Sequence, residues 1–537
     1  MKKTLLKLAA AVLCICLLCN GCSARDVFNY LFYGYYPDTS FSEMQYTRPD
    51  VSALEAAAEE CKAFSENTQD LDALVEKISK FSTLFSGFNT QYMLAYIHYC
   101  QDMSDSYWEK EYTYCEERTA QVEAARDQLM HALAVCPLSE KLETEEYLGE
   151  GCFERYQGDS IWTEEFQTLV EEESRLETEY YDLSSQSMEA DLYGEEYFRV
   201  YGSQMEEIYV QLVKLRQQIA QEAGYGSYGE YAYDRIYGRD FTPEQGISYC
   251  NDIRQELVPL YRELAESGYW GNGVSSANQK QTLGYVQDMA ESMGGVIQEA
   301  FQTMYSNELY HIAPGENKFS GSFETYLYDY MEPYVFVGPS QSIQDHLSFT
   351  HEFGHFCSDY ASQGSIAGID VAEVFSQGLE YLSLSYADAS QELKMLKMAN
   401  SLSTYVEQAA YACFEQQVYG LASEDVTVEN IRTIFQRTAD AFGFDSWGYD
   451  SRLYVAVSHF YIQPMYVISY VVSNDGALQL YQLEQEEAGA GLKIYTDTLA
   501  TEQEGFLAYL EEAGLESPFL QGRIQKVRQT FQEELGL

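Results

Sequence analysis

The sequence predicts a mostly α-helical protein, and three observations carry that expectation. Proline is scarce, at 10 of 537 residues, while the helix formers Glu, Gln, Leu and Ala are abundant. Apolar residues recur three and four apart along most of the chain, the spacing of one helix face. Only residues 317–338 change habit: Phe319, Gly321 and Phe323 alternate, and Tyr334-Val335-Phe336-Val337 is β-branched and aromatic. That stretch reads as a small β-ribbon, ended by Gly338-Pro339.

The first 21 residues read as a secretory signal. Met1-Lys2-Lys3 gives a basic start, Leu8–Leu18 an apolar core, and Cys19-Asn20-Gly21-Cys22 small residues before a cysteine. The ending is similar to a lipoprotein signal, in which Cys22 becomes the lipidated first residue. Cys19 stands three before it, where Leu is expected. The apolar run is short for a transmembrane span. The expectation is a protein exported to the outer face of the cytoplasmic membrane, held there by an N-terminal lipid or secreted. Residues 22–48 are aromatic and turn-rich (Tyr35-Tyr36-Pro37-Asp38) and read as a tether.

With 85 acidic and 32 basic residues the net charge is −53. Such a surface repels nucleic acid and anionic membrane, so neither is an expected partner. Of 12 cysteines, four lie in the signal region. The other eight (Cys61, Cys100, Cys115, Cys136, Cys152, Cys250, Cys357, Cys413) are widely spaced and form no CxxC pair, so a structural zinc site is not expected. An even number in an exported chain permits disulfides, without fixing a pairing.

Residues 49–203 read as an N-terminal helical region. Leu54, Ala58, Cys61 and Phe64 share one face, as do Leu71, Leu74, Ile78 and Phe81. Residues 204–537 read as the catalytic domain. It opens with a helix over 205–225 carrying Ile208, Leu212, Leu215 and Ile219 on one side; Thr242-Pro243-Glu244 then gives an N-cap and a first-turn proline.

The chemistry centres on His351-Glu352-Phe353-Gly354-His355, inside a predicted helix over 344–360. Positions four apart share a helix face, so His351 and His355 can grip one metal ion. Glu352 lies one step round, within reach of a water on that metal. A zinc hydrolase needs a third protein ligand and an open position. The predicted helix 371–386 supplies a candidate: Glu373, 18 residues after His355, where a second helix can return antiparallel. Glu380, seven residues on, points from the same face and is placed to accept a hydrogen bond from a ligand histidine. The apolar neighbours Ala372, Val374, Phe375 and Leu379 leave a buried carboxylate in need of a reason.

This pentapeptide, followed by Ala372-Glu373-Val374-Phe375-Ser376-Gln377 and Glu380, resembles the thimet oligopeptidase / oligoendopeptidase F family of zinc metallopeptidases, on its oligoendopeptidase F side. Gly224-Tyr225 with Tyr228 and Tyr231, Arg239-Asp240-Phe241-Thr242-Pro243, Ser320-Gly321-Ser322-Phe323 and Pro333-Tyr334-Val335-Phe336 are similar to its surrounding stretches. The resemblance implies a helical, bowl-shaped metallopeptidase with a deep substrate channel and a β-ribbon beside the zinc helix. It implies one Zn2+ per chain and short unstructured peptides as substrates. It also implies that His459, with Tyr466 or Tyr470, donates hydrogen bonds to the oxyanion. Phe375 stands where some members have proline, and Ser322 where a second glycine is frequent. Between His459 and the tyrosines this chain is one residue longer, with Pro464 inside, and the following Ser473-Asn474-Asp475-Gly476 reads as a loop. Two rival readings are a zinc exopeptidase of the dipeptidyl carboxypeptidase kind and a surface peptide-binding lipoprotein without turnover. The remaining histidines, His98, His131, His311 and His346, read as surface or core residues.

Overall fold

A computed structural model describes residues 39–537, except 145–146, 150, 154–155, 157–160, 190–193, 272, 365–366, 445–449, 502 and 504. The signal segment, Cys22 and most of the tether lie outside the described residues. Among the described residues no helix is long and apolar enough to cross a membrane.

In chain order the elements used below are helices α1 (Val51–Ser65), α2 (Leu71–Gln101), α3 (Thr119–Ala134), α4 (Ser203–Glu222) and α5 (Pro243–Glu256). Strands β1 (Tyr310–His311), β2 (Ser322–Leu327) and β3 (Glu332–Val337) follow. Then come α6 (Gln344–Ser362), α7 (Ile369–Tyr386), α8 (Gln391–Tyr419), α9 (Ile468–Glu486) and α10 (Arg523–Leu535). The expectation of a mostly helical fold with one small sheet is met. The chain divides into two compact units, one of residues 1–167, 276–366 and 499–502, the other of 168–275, 367–498 and 503–537.

In the first unit, Asp50 and Asp70 cap α1 and α2 by accepting from the Ala53 and Ala73 N–H groups. Leu54, Ala58, Cys61, Leu74, Ile78 and Phe81 pack into one core with α3; Phe64 and Leu71 lie at its margin. The sheet has the order β1-β3-β2. β2 and β3 are the antiparallel ribbon of the sequence reading, with Phe323 opposite Phe336. A third strand, β1, joins parallel to β3; two residues are too few to leave a periodic signal. β3 is buried along its whole length. On β2, Phe323 stacks on Phe336 and approaches Tyr96 of α2. The alternate side chains face the other way: the Tyr326 ring lies so close to Gly364, just past α6, that a Cβ there would come within 2.3 Å. Gly364 also has φ +75°, so both space and backbone require glycine.

In the second unit, α4 buries Ile208, Leu212 and Ile219 as expected, and with them Arg216, whose side chain is 0% exposed. Arg216 pairs with Glu173 and Glu177 and donates to the carbonyls of Phe460 and Tyr461. Thr242 and Gln245 form a capping box at the start of α5. One local reading is corrected. Ser473-Asn474-Asp475-Gly476 is no loop but lies buried inside α9. Polar turn formers stay helical here because each finds a partner on another element. Gln377 donates to Ser473, Tyr381 donates to Asn474, and Tyr249 and Arg523 both donate to Asp475.

Of the eight described cysteines seven are buried and Cys152 is half-buried. The four remaining histidines are packed against neighbours. His98 stacks on Trp108, His311 on Phe336 and His346 on Tyr285, while His131 meets Tyr156 edge to face.

Candidate metal centre

α6 is set at its N-terminal end by Asp345, a buried carboxylate that accepts from the Ser340 and Gln341 N–H groups at 2.8 and 2.9 Å. An acid in the first turn suits the positive end of the helix dipole. Two turns on, the His351 and His355 rings stand 5.1 Å apart on one face, half-buried, with Glu352 buried beside them. Among the described residues one group of His, Cys, Asp and Glu side chains can hold a metal ion. It is His351, His355 and Glu373, which offer ligand atoms within 4.8 Å of one another. Two imidazoles and one carboxylate are a donor set suited to zinc with an open fourth position.

Glu373 sits on α7, only 2% exposed. Both carboxylate oxygens are fixed by neighbours: the Tyr466 hydroxyl donates to Oε1 at 2.7 Å and the Ser376 hydroxyl to Oε2 at 3.1 Å. Hydrogen bonds of this kind orient a metal-binding carboxylate while leaving lone pairs for an ion. Burial and the Glu373 charge push the Tyr466 hydroxyl far above its ordinary pKa, so it stays a donor. Glu380, two turns further along α7, accepts from Lys397 Nζ at 3.0 Å. Lys397 is itself buried, and burial lowers its pKa against the pull of Glu380.

His459 and Tyr470 complete the surroundings of Glu373. The Tyr470 hydroxyl lies 3.4 Å from His459 Nε2, and the Tyr466 ring is 5.6 Å from His459 and 5.1 Å from Tyr470. Burial lowers the His459 pKa and the nearby Glu373 charge opposes it. All three aromatic residues named from the sequence thus form one cluster, which reaches the carboxylate through Tyr466. Their engagements differ: Tyr466 is tied to Glu373, Tyr470 to His459.

After the short helix His459–Ile462 the chain turns through Met465, a non-glycine residue at φ +64°. Three backbone groups of this turn are held by side chains from elsewhere in the chain. Tyr237 donates to the Pro464 carbonyl at 2.8 Å, and Arg239 to the Met465 carbonyl at 2.9 Å. The Met465 N–H donates to Glu415 at 2.8 Å. A left-handed residue persists only where its surroundings over-determine it. Arg239 also pairs with Asp370 at 3.1 Å, one turn before Glu373 on α7, and donates to Ser469 Oγ. One guanidinium therefore fixes the start of the Glu373 helix and the loop that delivers Tyr466. Arg239, Asp370, Ser376 and Glu415 were not singled out as site residues from the sequence. Arg239 and Ser376 lay within resembling motifs, but their bonds join segments over 100 residues apart or a turn of one helix, which periodicity does not report.

A helical fold bearing an HExxH helix and a His–His–Glu group able to hold a metal ion narrows the class of protein. Comparison with known proteins narrows it further. Residues 41–159 match the family model of the Peptidase M3 N-terminal domain. A structure described as a putative oligoendopeptidase F has 20% identity and a TM-score of 0.79, covering 93% of this chain and 99% of that one. PZ peptidase A with an inhibitor has 20% identity and a TM-score of 0.80, covering 92% and 99%. A putative oligoendopeptidase F from Bacillus anthracis has 18% identity and a TM-score of 0.78, covering 93% and 98%. No curated protein matches. Residues 41–159 are thus similar to the M3 peptidase N-terminal domain, and the chain has the fold of the oligoendopeptidase F structures, in line with the resemblance drawn from its motifs.

Proposed function

We propose that this chain is a zinc-dependent endopeptidase that hydrolyses short unstructured peptides outside the cytoplasmic membrane. The observation that carries the reading is the convergence of His351, His355 and Glu373, with Glu352 beside the histidines. These three residues would hold one zinc ion. A bound zinc ion supplies Lewis acidity toward the scissile carbonyl and the attacking water. Glu352 takes a proton from that water and passes it to the leaving amine. His459 and Tyr470 donate to the developing oxyanion, because the Tyr466 hydroxyl is already committed to Glu373. Tyr466 and Ser376 hold the ligand carboxylate in orientation. Export follows from the N-terminal signal, and Cys22 is the lipid attachment point in this reading.

Mass spectrometry of end-blocked peptides tests it. Internal cleavage is expected, lost on chelation and restored by one equivalent of zinc per chain. Removal of terminal dipeptides, with blocked peptides spared, would favour the exopeptidase. Zinc and peptide bound without turnover would leave a binding protein.

Tyr466→Phe removes one hydrogen bond from Glu373 and leaves that of Ser376. Zinc affinity is expected to fall about 10- to 100-fold, read by competition with a chromophoric chelator. Unchanged affinity would show that the hydroxyl does not orient the ligand.

A further inference from the structure

β2 pairs only with β3, so one of its edges has no strand partner among the described residues. Its residue Glu324 lies on the face opposite Phe323, the face on which Tyr326 reaches Gly364 at the end of α6. Two residues before Tyr326, Glu324 is the next side chain on this face of β2, the strand that packs against α6. There it feels the charges of Asp359 and of Glu352. Three carboxyls thus gather where β2 passes the metal-motif helix. Glu324 Oε1 is sealed from solvent and has no hydrogen-bond partner.

A buried, unpartnered carboxylate oxygen costs free energy that the fold alone does not recover. Burial raises the Glu324 pKa well above the carboxylate range and lifts Asp359 to about 7. Glu324 is therefore held in its protonated form in the free protein, and a neighbouring cation would return it to the carboxylate. A cation delivered alongside β2 would satisfy it, and a peptide lying along a free strand edge presents side chains at such positions. The acidic surface, at net charge −53, draws cations in the same sense.

We propose that Glu324 and Asp359 form a specificity subsite that takes a lysine or arginine side chain of the peptide substrate, next to the catalytic helix. The subsite rests on the endopeptidase reading above. It would make the chain discriminate by charge rather than by side-chain size.

Paired peptides test it, identical except for Lys against norleucine or Arg against citrulline, scanned through each position flanking the cut. Wild-type kcat/KM is expected to favour the cationic member at one position by about tenfold or more. In Glu324→Gln that ratio is expected to fall toward one, and Asp359→Asn should lower it at the same position. Gln is isosteric with Glu, and the second variant guards against a folding defect in the first. Equal rates for both members in the wild type, or a ratio unmoved in both variants, would overturn the subsite while leaving the endopeptidase intact. A chain that cuts neither member overturns both readings.

Discussion

Glu352→Gln is expected to lower peptide cleavage by about 10²- to 10⁴-fold, the usual contribution of a positioned general base. That corresponds to about 3–5 kcal/mol of barrier. The substitution keeps the shape of a side chain that is buried on α6 at 8% exposure, so the helix has no steric reason to move. It removes only the ability to accept and return a proton. His351, His355 and Glu373 are untouched, so zinc stoichiometry is expected to stay at one per chain. Elemental analysis and kcat measured on the same preparation separate the two quantities. Near-wild-type turnover in this variant would refute Glu352 as the base. Loss of the metal together with activity would instead show a ligand or folding role.

The two histidines and the glutamate were legible in the sequence because their constraint is local. His351 and His355 are one helical turn apart, and Glu373 lies on the next helix in the chain. The sheet was legible for the same reason, apart from β1. The other half of the site was legible only through resemblance. With 48 tyrosines in the chain, nothing in the local pattern sets Tyr466 apart from its neighbours. What distinguishes it is a bond to Glu373, 93 residues away. The Ser473–Gly476 stretch failed in the opposite direction. Its composition favours a turn, but buried partners on α5, α7 and α10 satisfy its side chains and hold it in α9. In both cases the deciding hydrogen bonds are tertiary, joining segments far apart in the chain.

Arg239→Met is expected to destabilise the protein by about 3–5 kcal/mol, the usual result of removing one partner of a buried ion pair. The Arg239 side chain is 0% exposed and that of Asp370 only 4%, so the variant leaves a carboxylate buried without its cation. The Met465 carbonyl and the Ser469 hydroxyl lose a donor as well. Arg239 also lies over the rings of Tyr233 and Tyr237, at 4.3 and 4.4 Å, so some packing is lost with the charge. Lysine is a poor replacement, since a single ammonium cannot fork between Asp370, a carbonyl and a hydroxyl. The double variant Arg239→Met with Asp370→Leu separates stability from positioning. With no stranded carboxylate it is expected to recover much of the lost stability, measured by denaturant unfolding. Activity is not expected to return with it. The left-handed turn at Met465 would still lack the guanidinium that holds its carbonyl, and Tyr466 would no longer be delivered reliably to Glu373. Recovery of both stability and kcat in the double variant would mean that Arg239 serves the fold alone. Recovery of stability without kcat would identify it as the residue that sets the geometry of the metal ligand from behind.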